Sequence, residues 1–341
     1  MAERVTLQEI ADKVGVSKSL VSLALADNER VSDETRAQIV LAALNLGYDL
    51  NKRRIRKGKN ELYSIVVNDT SYLNTFFYTE VMKGIENELA EQGIGIDLVL
   101  YNKNVDNDQF LLDTVDKKTQ GLIIVAVCDR KRVEALRQTG LPIVVVDGND
   151  YFGNDCDVVE ANNYYSGYYA AHYFEKFGHI RLGFVGDTRI SMSFKQRRDG
   201  FADGVRYFGG RLRYFETTEP YQARAETFNA AFFRRMMRRS DRPTALMCAN
   251  DITALNVYKI LTQMGLSVPE DVSLIGFDNI KIGEPFMEKL TTFDIPKQEM
   301  GREAVRLLRM RRKNPEKTRR VVQLAASLIR RESVAAPKER Q

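Results

Sequence analysis

From residue 63 to residue 277 the chain repeats one pattern, short apolar β-branched runs separated by longer helical ones. The runs are "YSIVV" (63–67), "IDLVL" (96–100), "GLIIVAV" (121–127), "PIVVV" (142–146), "IRLGFVG" (180–186), "TALMCA" (244–249) and "VSLIGF" (272–277). Strands that are apolar on both faces must be covered on both faces, which is the condition of a parallel sheet flanked by helices. Segments such as "FFYTEVMKGIENELAEQ", "YYSGYYAAHYFEKFG" and "DITALNVYKILTQMG" supply the crossover helices. About 270 residues of this pattern exceed one domain of roughly 100 to 200 residues, so two sheets are expected. Ligands of such sheets sit beyond the carboxyl ends of the strands. Those ends are polar here: Asn68 and Asp69, Asp129, Asp147, Asp187, Asn250 and Asp251, Asp278 and Asn279. Carboxylates and carboxamides in this arrangement suit a polyhydroxylated or heterocyclic ligand, with Phe76 and Phe77 available to stack on its apolar face. Any one of them taken alone is equally well a helix cap or turn residue.

Residues 5–49 follow another rhythm. In "TLQEIADKVG", Thr6 and Glu9 form a capping box, Leu7, Ile10, Ala11 and Val14 recur at helical spacing, and Gly15 stops the helix. Ser17 caps a second helix in which Leu20, Val21, Ala24 and Leu25 share about 140° of arc. Lys18, Ser19, Ser22, Leu23 and Ala26 are left facing away. A third helix starts at Ser32, buries Ile39, Val40, Ala43 and Leu44, and ends at Gly47. Two short helices joined by a tight glycine-containing turn predict a helix-turn-helix, whose second helix enters the DNA major groove. The segment "NKRRIRKGKN" (51–60) follows, with six basic residues between Lys52 and Lys59 and Ile55 among them. Further basic runs, "RRMMRRSDR" from Arg234 and "RMRRKNPEKTRR" from Arg309, read on composition as solvated faces.

Other classes are poorly supplied. No apolar run approaches the roughly 18 residues of a membrane span, and "MAERVTLQEI" has no signal-peptide core, so a cytoplasmic protein is expected. Cys128, Cys156 and Cys248 are odd in number and widely spaced, which indicates neither disulfides nor zinc. Phosphate-loop, dinucleotide-binding, zincin and serine-hydrolase motifs are missing, and the two histidines, His172 and His179, offer little general-base chemistry.

The segments "VTLQEIADKVGVSKSLVSLAL", "RVSDETRAQIVLAALNLGYDLN", "NTFFYTEVMKGIENELAEQG", "KFGHIRLGFVGD", "RRDGFADGV", "PTALMCANDITAL", "VPEDVSLIGFDNI", "LTTFDIPKQEMGREAVRLL" and "RRES" together resemble the lactose-repressor (LacI/GalR) family of bacterial transcription regulators over nearly the whole chain. The resemblance implies an all-α helix-turn-helix headpiece (1–49), a hinge (50–61) and an α/β core (62–334) like type I periplasmic binding proteins, then a tail (335–341). Its two lobes, each a parallel sheet covered by helices, would comprise 62–160 plus 293–321, and 161–292 plus 322–334. It further implies a non-enzymatic, ligand-responsive repressor that binds a pseudo-palindromic operator in double-stranded DNA as a homodimer. No cofactor is implied, only a small effector between the lobes, a sugar or sugar derivative or a nucleoside. The effector contacts it suggests are Phe76, Phe77, Asp147, Arg197, Tyr221, Asn250, Asp251 and Asp278, with Asp147 and Tyr221 resting on position alone. For DNA it suggests Thr6, Ser17, Lys18, Ser19, Ser22, Leu23, Asn28, Lys52, Arg53, Arg54, Ile55 and Arg56.

Two departures from the family pattern matter. Its usual Thr-Val-Ser-Arg in the recognition helix is Leu20, Val21, Ser22 and Leu23 here, which removes an arginine able to read guanine and predicts a different operator. The hinge is about two residues shorter than usual, leaving Ile55 as the one candidate for a minor-groove wedge. The tail "VAAPKERQ" has no leucine heptads, so a dimer is expected over a tetramer. The alternatives are control by a protein partner instead of a small ligand and, remotely, an α/β enzyme acting on a sugar.

Overall fold

The computed structural model describes residues 6–25, 61–68, 76–101, 118–126, 130–148, 155–189, 191–215 and 230–338, with isolated residues between 31 and 46 and at 112 and 115. Asn28, Tyr221, Cys128 and the hinge residues Lys52, Arg53, Arg54, Ile55 and Arg56 lie outside this set.

The first helix, α1 (Leu7–Val14), opens on the expected capping box: the Glu9 backbone N–H donates to Thr6 Oγ1 (3.3 Å) and the Thr6 N–H donates to Glu9 Oε2 (2.6 Å). Gly15 ends it in the left-handed conformation, φ 75°, which glycine adopts without a Cβ penalty. Ser17 Oγ then accepts from Leu20 N (3.1 Å) at the start of α2 (Lys18–Leu25). Ile10, Ala11, Val21, Ala24 and Leu25 pack with Val31, Ile39, Ala42 and Ala43 into a small separate core. Val40, Leu44 and Gly47 of the expected third helix lie outside the described residues.

The first lobe is a six-stranded sheet in the order β11-β5-β4-β3-β1-β2. Its strands are β1 (Leu62–Asn68), β2 (Gly95–Tyr101), β3 (Leu122–Val125), β4 (Ile143–Val146), β5 (Asp157–Ala161) and β11 (Val321–Leu324), all parallel. Helices α3 (Phe76–Glu91) and α10 (Lys297–Lys313) pack together against the sheet, and α4 (Arg130–Arg137) links β3 to β4. In the second lobe the order is β12-β10-β9-β8-β6-β7. The strands are β6 (Arg181–Val185), β7 (Arg211–Phe215), β8 (Ala245–Cys248), β9 (Ser273–Phe277), β10 (Thr291–Asp294) and β12 (Ser327–Ile329). Helices α5 (Asn163–Lys176) and α6 (Met192–Tyr207) pair with each other, and α7 (Ala230–Met237), α8 (Asp251–Gln263) and α9 (Pro285–Lys289) complete the lobe. Among the described residues no helix is long and apolar enough to cross a membrane.

Two expectations are corrected. The crossings between lobes fall slightly later than 160, 292 and 321, because β5 runs to Ala161, β10 belongs whole to the second sheet and β11 whole to the first. The second sheet is also not purely parallel, since β12 pairs antiparallel with β10 as the chain turns back on its edge.

Close helix pairing fixes both lobes. A methyl group at Gly200 of α6 would lie 1.9 Å from Tyr164 O of α5, and one at Gly167 of α5 would lie 2.1 Å from Arg197 O. Only glycine lets the backbones approach so closely, and this contact sets where α6 aims Arg197.

Candidate functional site

The strand ends that face the junction of the two lobes carry a buried polar cluster centred on Arg197. Its Nε donates to Asn163 Oδ1 (2.9 Å) and its Nη1 to Ala249 O (2.6 Å). The guanidinium carbon lies 3.5 Å from the centroid of the Phe277 ring, a cation–π stack that holds the fork flat. Arg197 Nη2 reaches Asp278 Oδ1 at 3.8 Å, an ion pair without a direct hydrogen bond. Burial works against the Arg197 charge, and Asp278, Asp147, Tyr78 and Asp251 support it.

Asp147, just after β4 of the first lobe, accepts from Tyr78 Oη of α3 (2.9 Å) and from Ser193 Oγ of α6 in the second lobe (2.5 Å). Asp147 and Asp278 both sit at positive φ, 51° and 104°, a conformation that side-chain-bearing residues hold only when their surroundings impose it. Strain at the ends of β4 and β9 marks this junction as a functional cleft. Burial lifts the Asp278 carboxyl to about 6, against the pull of Arg197 and Lys297. Such an array offers cationic donors from Arg197 and carboxylate acceptors from Asp147 and Asp278, which suits a ligand carrying both hydroxyls and acceptor atoms.

The other expected effector contacts divide. Phe76 starts α3 and is 38% exposed, whereas Phe77 is buried in the main core and edge-on to Tyr78, so its ring is packing and does not face a ligand. Asn250 caps α8, its Oδ1 accepting from Thr253 N and Oγ1. Asp251 is the clearest correction. It is 1% exposed, accepts from Thr292 Oγ1 (2.6 Å) and Ile280 N (2.9 Å), and so braces the turn that carries Asp278 instead of facing a ligand. Burial, and then the nearby Asp278, push its carboxyl up to about 7. Tyr78, Asn163, Ser193 and Phe277 were missed from the sequence. The i, i+4 spacing of Ser193 and Arg197 on α6 was the available signal, since both lie on one face.

In the headpiece, α2 turns Val21, Ala24 and Leu25 inward and leaves Lys18, Ser19 and Leu23 exposed and Ser22 half-buried. Thr6 and Ser17 are exposed at helix N-termini, with their hydroxyls engaged as caps. Among the described residues no group of three or more His, Cys, Asp or Glu is placed to hold a metal.

A profile of bacterial regulatory proteins of the lacI family matches residues 6–51, and one of a periplasmic binding protein-like domain matches residues 171–334. The HTH-type transcriptional repressor PurR of Aliivibrio salmonicida is 29% identical over 341 residues, covering 96% of this chain and 98% of that protein. The chain belongs to the LacI family. A LacI-family regulator from Enterococcus faecium with bound ribose is 25% identical, with a TM-score of 0.67, over 81% of this chain and all of that one. The lac repressor dimer bound to operator and the anti-inducer ONPF superposes with a TM-score of 0.69 over 98% of this chain and 100% of that one, at 19% identity, a likeness of fold. This LacI-family chain is therefore a DNA-binding, ligand-responsive transcription regulator and not an enzyme.

Proposed function

We propose that the protein represses transcription as a homodimer on a pseudo-palindromic operator in the cytoplasm, under control of a neutral polyhydroxylated effector of the sugar or nucleoside class. The observation that carries the effector reading is the junction of Arg197, Asp278 and Asp147, in which one lobe supplies the cation and one acid and the other lobe supplies the second acid. Bound ribose in the Enterococcus faecium relative supports a sugar-like ligand. Phe76 is the aromatic that would stack on it. A ligand touching both lobes binds one lobe arrangement better than another, and that difference in affinity is the free energy available to move the headpieces.

On the DNA side, Lys18, Ser19, Ser22 and Leu23 form the reading face of α2, supported by their exposure opposite Val21, Ala24 and Leu25. With no arginine on this face, Leu23 is suited to a thymine methyl group and Lys18 to a guanine edge or a phosphate. A thermal-shift screen with ribose, cellobiose, nucleosides and free nucleobases tests the effector reading. A specific ligand at about 100 times its Kd raises stability by about 2.7 kcal/mol. A shift that disappears in Arg197→Lys supports the cleft, and a flat screen contradicts it.

A further inference from the structure

All strands of the first sheet run parallel, so its two ends are chemically distinct. The carboxyl ends meet the effector cleft. At the opposite end the chain enters the core from the headpiece side at Glu61, and there α10 delivers the basic run that follows Arg309. Arg312 Nη1 pairs with Glu61 Oε1 at 2.8 Å, which fixes this run beside the point where the DNA-binding module joins.

The loop that carries the run is built and rigid. Arg311, 3% exposed, makes a two-pronged contact with the fully buried Asp157 (Nε to Oδ2 2.8 Å, Nη2 to Oδ1 3.0 Å) and donates to the carbonyls of Pro315 (2.8 Å), Thr318 (3.1 Å) and Lys317. Asp157 Oδ1 also accepts the Arg320 backbone N–H (2.8 Å). One buried ion pair thus moulds 314–320, and around it Lys313, Lys317, Arg319 and Arg320 are exposed and make no ion pair among the described residues. Of the acids at this end, Asp155 pairs with Arg130 and Arg137 and Glu61 with Arg312, while Glu316 is exposed in the loop itself and is outnumbered there by the four cations. A cavity of about 300 Å³, walled in part by Arg137, Arg312 and Arg319, makes the surface concave.

We propose that this end of the core is a second DNA-contacting surface, in which Lys313, Lys317, Arg319 and Arg320 bind the phosphate backbone of the DNA flanking the operator. The inference rests on the operator-binding reading. It extends the basic character of the hinge onto a rigid platform, where cations held in place lose little conformational freedom on meeting phosphates. Contacts of this kind add affinity and salt dependence without reading sequence.

The test uses the full-length protein and an operator selected from a pool of random duplexes. Affinity is measured across a salt series on the shortest duplex that retains full headpiece protection and on the same duplex extended by one helical turn (about 10 base pairs) at each end. The double variant Arg319→Gln/Arg320→Gln is compared with Arg235→Gln/Arg238→Gln, which removes equal charge from exposed positions in the second lobe. Each neutralised phosphate contributes about 0.9 to the log–log salt slope, so with four cations in each of two copies wild type should show a steeper slope on the long duplex, by up to about 7. The Arg319/Arg320 variant should lose about half of that excess while matching wild type on the short duplex, and the control variant should retain all of it. Equal slopes for wild type on both duplexes, or an equal loss in the control, overturns the proposal. Absence of specific binding to any short duplex would instead overturn the operator-binding reading on which the proposal stands.

Discussion

Ser193 of the second lobe donates its hydroxyl proton to Asp147 of the first at 2.5 Å, so the two lobes are tied at the point where Arg197 and Asp278 lie. A hydrogen bond to a charged acceptor contributes about 1.5 to 3 kcal/mol. Removing it in Ser193→Ala leaves Asp147 hydrogen-bonded to Tyr78 of its own lobe and loosens the closed arrangement. The expected outcome is about a tenfold weaker effector affinity, read by calorimetry, with the short-duplex operator affinity of the ligand-free protein within a factor of a few. An unchanged effector affinity would show that the tie plays no part in binding.

Arg197→Lys should abolish effector binding although the charge is kept. A lysine cannot stack flat on Phe277 while donating to both Asn163 and Ala249 O, and it leaves Asp278 poorly compensated. The loss of a buried partner predicts a drop of about 3 kcal/mol in unfolding free energy, measured by denaturant titration. Stability and effector affinity both close to wild type would contradict the packing assigned to this residue.

Effector binding should depend on pH through Asp278. Its carboxyl is raised from 3.8 to about 6, so an effector whose hydroxyls donate to the carboxylate binds fully above that value and weakens as pH falls through it, by about tenfold per unit well below. The linked stability runs the other way. A raised carboxyl favours the folded state below its unfolded value, and the advantage of Asp278 and Asp251 is lost as pH rises through about 6 and about 7. Calorimetry between pH 5 and 8 checks the affinity, and an affinity independent of pH in that range would rule out an ionised Asp278 as acceptor.

His179 supplies a stability term of opposite sign. Its Nδ1 meets Thr244 Oγ1 (2.9 Å), and its Nε2 meets Ala335 O (2.8 Å) and Ser273 Oγ (3.1 Å). Burial depresses it from 6.5 to about 4, with the Ala335 carbonyl opposing. The stability it contributes is complete above 6.5 and is lost as pH falls through about 4, up to about 3 kcal/mol. His179→Gln should flatten the acid limb of the stability profile between these values, and an unaltered limb would contradict the assignment.

Much of this was legible in the chain, for identifiable reasons. The capping box of Thr6 and Glu9 is a local signal, and the runs that became β1, β3, β4, β6, β8 and β9 are apolar because both faces are covered. The strands β7 ("RLRYF") and β11 ("VVQL") escaped because they are sheet edges with short or charge-interrupted apolar runs, and β5 ("DVVEA") because its apolar run is broken by Glu160 and by Asp157, which is buried only through its pairing with Arg311. Arg197 and Asp278 stood out through motif and strand-end position, but the direction of a side chain did not: Phe77 and Asp251 turn inward, and nothing in their neighbours' identities says so. Ser193 and Tyr78 depend on contacts 46 and 69 residues away in sequence, which spacing along one helix or strand does not encode.

The central claim is that a ligand in the Arg197–Asp278 cleft controls operator binding. The most direct test is operator affinity by fluorescence anisotropy with and without a saturating concentration of the effector found in the thermal screen, for wild type and Arg197→Lys. The account predicts an affinity change of about 5- to 150-fold in wild type, the usual range of allosteric coupling, and none in the variant, which still binds the operator. An operator affinity identical with and without bound effector in wild type would contradict it.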